Sequence, residues 1–159
     1  MKTNLLIVII VAAMVSAFVS SPNPPLAQAI QSSSDSFNLH AYKGKFVVLN
    51  FWASWSKASR LENKSIVHVY QNYQINPKVV FVSVSLDTDA VSWQSAISDD
   101  GLVWPNQYCD FKKYASAPAQ QFKVTTLPQI MILNANGEQV YAAQNAHDLE
   151  VQLQTLLKS

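Results

Sequence analysis

Residues 45–52, KFVVLNFW, form a short continuous apolar run rich in Val and Phe. A run of this length and composition suits a strand covered on both faces. From 57 to 73 the apolar positions Leu61, Ile66, Val69, Tyr70 and Tyr73 recur near helical spacing. Asn76-Pro77 ends that segment, because proline cannot continue the helical hydrogen-bond ladder. Residues 79–86, VVFVSVSL, are β-branched and of strand length. Asp87-Thr88-Asp89 then offers caps for a helix over about 90–98. Asp99-Asp100-Gly101 reads as a turn, residues 102–108 fit neither period, and 114–122 predict a short helix in spite of Pro118. Further on, 129–133 is apolar, Asn134-Ala135-Asn136-Gly137 is a hairpin turn signal, and 138–142 returns as a strand. Residues 147–158 predict a closing amphipathic helix with Leu149, Leu153, Leu156 and Leu157 on one side, capped from Asn145. This order of elements describes an α/β layer fold, a mixed central sheet flanked by helices.

The apolar stretch at 5–19, LLIVIIVAAMVSAFV, lies outside that pattern. It follows Lys2 and precedes small residues ending in Ala27-Gln28-Ala29, the three parts of a secretory signal, with cleavage expected near Ala29. The alternative is an uncleaved anchor, for which these 15 residues are short against the roughly 20 that span a bilayer. Residues 20–36 are rich in Ser and Pro and read as a flexible leader. The expected division is therefore a signal segment at 1–29, the remaining leader at 30–36 and one folded domain at 37–159. About 130 residues are enough to bury two-thirds of the unfolded surface in a single core.

Composition narrows the chemistry. Of eleven basic and ten acidic residues only Lys2 falls in the signal segment, so the mature chain would be neutral. With its basic residues scattered along the sequence, it offers no electrostatic case for nucleic acid or for an anionic membrane surface. Cys109 is the single cysteine, which excludes an internal disulfide and any metal site built on several thiolates. His40, His68 and His147 have no second ligand at metal spacing, so no metal is expected. Three dispersed glycines, Gly44, Gly101 and Gly137, leave no phosphate loop, and no cofactor is expected.

Several stretches carry a resemblance. Gly44-Lys45 followed by FVVLNFWASW, then Arg60-Leu61-Glu62-Asn63, then VFVSVSLDTDAVSWQSAI and finally VTTLPQIMILNANGEQV occur in the order seen in the thioredoxin superfamily. Within it, the chain resembles the exported thiol-disulfide oxidoreductases of the TlpA/ResA group, from about Phe37 to the C-terminus. The resemblance implies a thioredoxin-like fold in a bacterial envelope or periplasmic location. It also implies that Ser56 and Ser59 stand where that group has the two cysteines of Cys-x-x-Cys, and Lys64 where proline is common. A serine hydroxyl at a helix start stays un-ionised and cannot form a mixed disulfide, so thiol exchange is not expected. Serine works as a nucleophile only beside a positioned base, and no His is near in sequence.

The structural role open to these serines is capping, with Ser56 as an N-cap and Ser59 pairing with Glu62 in a capping box. By the same resemblance Pro128 is the cis-proline beside the helix start, and Leu127 offers its backbone to an extended peptide, a contact that needs no sulfur. The expected partner groove is Trp55, Ser56, Leu127 and Pro128, with Trp52 in the core and Trp55 partly exposed. The expected function is a redox-inactive envelope protein that binds a peptide or protein partner, with membrane contact only if the N-terminal segment is retained. The alternative is an antioxidant or peroxidase-type enzyme working through Cys109, whose structural reading is a buried packing residue. Asn63-Lys64-Ser65 formally matches a glycosylation sequon, but on a predicted helix.

Overall fold

The structure is a computed structural model and describes residues 37–158; the signal segment and leader expected over 1–36 lie outside them. Five strands form one sheet in the order β3-β2-β1-β4-β5. Strand β1 (Phe46–Trp52) sits at its centre, parallel to β2 (Val79–Ser85) and antiparallel to β4 (Gln129–Leu133). The short β3 (Gln107–Cys109) runs parallel to β2 on one edge, and β5 (Gln139–Ala143) runs antiparallel to β4 on the other. A central strand must be apolar on both sides, which is why β1 reads as an unbroken run. Val48 and Trp52 face one core cluster, Val47, Leu49 and Phe51 the other.

Helices α1 (Lys57–Tyr73), α2 (Ala90–Asp100) and α4 (Ala146–Leu156) supply the first cluster through Ile66, Val69, Trp93, Ile97, Leu149 and Leu153. The second cluster lies under the five-residue α3 (Ala117–Gln121), the 3-10 turn at Leu39–Tyr42 and Val124. Helix α1 occupies the span expected from its periodicity, but its buried stripe is Ser59, Asn63, Ile66, Val69 and Tyr73. Leu61 is 62 % exposed, on the opposite side. The first two turns of α1 thus turn a polar face inward, which apolar spacing alone could not reveal.

Other boundaries shift for local reasons. Helix α2 runs through Asp99 and Asp100 and stops at Gly101, whose left-handed φ of 71° lets its N–H close on Ile97 and Ser98 carbonyls. The helix expected over 114–122 is divided into a 3-10 turn at Lys113–Ala115 and α3. Pro118 sits in the first turn of α3, where its missing N–H has no intrahelical partner; a helix begun at 114 would have needed that N–H. Asn145 caps α4 by accepting from the Asp148 N–H at 3.0 Å.

Candidate functional site

The register pairs Trp52 with Ser85 and Ser85 with Cys109, so the C-terminal ends of the three parallel strands lie in one row. Antiparallel β4 starts at the same end, since Phe51 pairs with Gln129 and Pro128 immediately precedes it. The Leu127–Pro128 peptide bond is cis, and both residues are half-buried. Chain leaving β1 therefore turns into α1 directly beside Pro128. Trp52 is fully buried while Trp55 is 52 % exposed.

The turn is fixed by hydrogen bonds at each step. The Ser56 N–H donates to the Ala53 carbonyl at 3.1 Å. Ser56 has extended backbone angles and caps α1, its Oγ accepting from the Ser59 N–H at 3.2 Å. The Ser59 hydroxyl, buried within the helix, donates to the same oxygen at 2.9 Å. Ser59 is therefore a helical residue whose N–H is capped, and it does not form a capping box with Glu62. The Glu62 carboxylate instead accepts from the Ala146 N–H, tying α1 to the N-terminus of α4, where a negative charge meets the positive end of the helix dipole.

Beneath the turn lies a residue expected only as a helix cap. Asp87 is 1 % exposed, and its carboxylate accepts from the Ser54 N–H at 3.0 Å, from the Ser54 hydroxyl at 2.6 Å and from the Ser85 hydroxyl at 2.6 Å. Several donors to one buried carboxylate offset much of its desolvation. Asp89, not Asp87, caps α2, and its bonds to Ser92 hold its carboxyl below the usual carboxylate range. A second buried chain joins β1, α1 and α2. Asn50 donates to Asn63 at 2.9 Å, Asn63 donates to Asp100 at 3.1 Å, and Arg60 Nε donates to Asp100 at 2.6 Å. That bond to Asp100 is the main reason the Arg60 pKa is raised. Asn63 is fully buried, which removes the sequon from consideration as a glycan acceptor. The signal for both clusters was a polar residue inside an apolar strand, Asn50 in β1 and Ser85 in β2.

Cys109 ends β3 in the same row. It is 2 % exposed, its Sγ donates to the Asp87 carbonyl at 3.6 Å, and burial pushes the thiol pKa up. A neutral, enclosed thiol is a poor nucleophile. Ser56 and Ser59 adjoin no imidazole, their hydroxyls bonding to one another. Among the described residues no cluster of metal-ligating side chains occurs, and no helix is long and apolar enough to cross a membrane.

A central β1 flanked by parallel β2 and antiparallel β4, a helix starting at the strand's end and a cis-proline beside it define a protein of thioredoxin-like class. The family described as Thioredoxin-like matches residues 44–139, more than half of the chain, and the chain belongs to it. A thiol-disulfide oxidoreductase from Bacteroides fragilis is similar at 31 % identity and a TM-score of 0.67, over 72 % of this chain and 82 % of that one. The C-terminal domain of a candidate thiol-disulfide oxidoreductase from Bacteroides thetaiotaomicron gives 29 % and 0.68, over 74 % and 80 %. A secreted Mycobacterium tuberculosis disulfide oxidoreductase, at 22 % identity, shares the fold with a TM-score of 0.62 over 75 % of this chain and 87 % of that one. Comparison with curated proteins found no match.

Proposed function

We propose that this chain is an exported thioredoxin-like protein of the bacterial envelope that does not exchange disulfides and uses the end of the sheet around Ser56 to hold a peptide or protein partner. One observation carries the proposal. The two side chains at the start of α1, the place of the reactive cysteine pair in the group the sequence resembles, are hydroxyls 2.9 Å apart and committed to each other and to the helix cap. The only thiol of the chain, Cys109, is enclosed in the core. Neither arrangement supplies a thiolate to attack a disulfide.

What favours binding is that the parts of a peptide site which need no sulfur are all present: a half-exposed Trp55, the Ser56 turn, and Leu127 ahead of a cis-proline. Export is supported by the signal-like residues 1–29, followed by the leader at 30–36. Insulin reduction by dithiothreitol is the test. The chain leaves the rate at the uncatalysed value, whereas Ser56→Cys/Ser59→Cys accelerates it; acceleration by the unmodified chain would refute redox inactivity. Binding is read separately, from partners captured in envelope extract by the chain and lost by Trp55→Ala/Leu127→Asp. Identical captures by the two would remove the groove.

A further inference from the structure

The outer edge of β2 is only partly used. Its ladder with β3 covers Ser83, Val84 and Ser85, and from Val79 to Val82 that edge faces no strand. Pro105 is the reason: lacking an N–H, it cannot carry β3 further along β2, and the chain bends there instead. The Phe46 N–H bonds to the Lys78 carbonyl and the Leu86 N–H to the Trp52 carbonyl, so even-numbered residues of β2 turn their backbone groups toward β1. Odd-numbered ones turn outward, as Ser83 does when its N–H reaches the Asn106 carbonyl at 2.9 Å. The Val79 N–H is taken by the Asn76 carbonyl at 3.3 Å, and the Phe81 carbonyl by Asn106 Nδ2 at 2.9 Å. The Val79 carbonyl and the Phe81 N–H bond to no described residue. Both residues are more than nine-tenths buried, where an unmet backbone group costs about as much as a lost hydrogen bond.

These residues border a cleft of about 260 Å³ between the end of α1 and the bend before β3. Tyr70, Tyr73, Val79, Phe81, Trp104 and Pro105 line it, and no lining residue is charged. The rings of Tyr70, Phe81 and Trp104 pack on one another with centroids 5.2 to 5.7 Å apart, which fixes their places. The two free backbone groups also set a direction. An antiparallel partner exchanges both bonds with a single residue, and neither Val79 nor Phe81 has both groups free. A residue of a parallel partner donates to one carbonyl and accepts from the N–H two positions on, which is the pair left here.

We infer that this cleft takes an uncharged extended segment of a partner, laid parallel to β2, one residue of which donates to the Val79 carbonyl and accepts from the Phe81 N–H. That residue lies opposite Val80, so the residue before it turns its side chain to the other face, toward Tyr70 and Tyr73, and an apolar one fits there. Asn106, already bonded to the Ser83 N–H, bounds the segment at its C-terminal end. The site lies at the start of β2, away from the strand ends around Ser56, and is independent of the groove proposed there.

The test follows the Phe81 amide by NMR in isotope-labelled protein titrated with the capped tetrapeptide acetyl-Ser-Leu-Val-Ser-amide. The same peptide with Glu for Leu is expected to bind about tenfold more weakly, because the cleft has no partner for a charge. With N-methylvaline for Val, which removes the donor to the Val79 carbonyl, binding falls about fivefold. A nitroxide on the peptide's N-terminus broadens the Lys78 amide more than the Asn106 amide. Gln74→Trp, at an exposed lining residue, blocks the cleft, whereas Gln74→Ala leaves binding in place. Trp55→Ala/Leu127→Asp leaves all three affinities unchanged, so the two sites stand or fall separately. No movement of the Phe81 amide, or equal affinity for the three peptides, overturns the site. Broadening at Asn106 equal to or stronger than at Lys78 overturns the parallel direction.

Discussion

Ser54 gives both its backbone N–H and its hydroxyl to the carboxylate of Asp87, at 3.0 and 2.6 Å. A residue of the turn after β1 is thereby fastened to the end of β2, and through the Asp87 carbonyl to Cys109 at the end of β3. Hydrogen bonds to a charged acceptor contribute about 1.5–3 kcal/mol each. Asp87→Ala is expected to lower unfolding free energy by about 3 kcal/mol and Ser54→Ala by about 2 kcal/mol in urea denaturation. An Asp87→Ala variant as stable as the parent would mean that the carboxylate does not hold the turn.

The cap at Ser56 predicts a graded response. Ser56→Ala removes the acceptor of the Ser59 N–H and is expected to destabilise by about 1 kcal/mol, while Ser56→Gly loses only a few tenths. Equal losses in the two variants, measured by the same denaturation, would argue that the side chain packs rather than caps.

Helix α1 offers a contrast between two apolar residues. Leu61→Gln, on the exposed side, is expected to change stability by less than about 0.5 kcal/mol. Ile66→Ala, fully buried, should cost about 2–5 kcal/mol. A large loss at Leu61 would reverse the assignment of the helix faces.

Cys109 gives a pH dependence. Burial raises its folded pKa, so its contribution to stability is complete below the ordinary thiol range, about 8.5, and is lost as pH rises through the elevated folded value. Cys109→Ala should therefore lose less stability than the parent between neutral and strongly alkaline pH. In the native protein a thiol reagent should react with Cys109 far more slowly than in urea. Equal labelling rates in the two states would show a thiol open to solvent and return the thiol-enzyme reading to consideration.

Much of the fold follows from local pattern. The strand at 79–86, the helix at 57–73, the hairpin about Asn136-Gly137 and the Asn145 cap all lie within a residue or so of where periodicity and turn chemistry put them, because each depends on neighbours in the chain. The helix at 114–122 was divided because Pro118 tolerates a first turn and nothing before it. Within the site, Trp55, Ser56 and Pro128 were legible as a set only through their resemblance to a known family, and the Ser56 cap through residue type.

Polarity of the interior was decided by packing across distance. Asp87 looked like a cap of α2, Asn50 was passed over inside a run read as apolar, and Asn63 was read for its place in a resembling motif and in a sequon rather than as a buried residue. Asp87 meets Ser54 33 positions away, Asn50 meets Asn63 13 away, and Asp100 meets Arg60 40 away. A buried polar group is stable only when its donors and acceptors are met. Sequence spacing reports which residues share a helix face or a strand side. Where a carboxylate and its donors belong to different elements, their meeting is set by strand order and register, and only the folded sheet brings Ser54, Ser85 and Asp87 together.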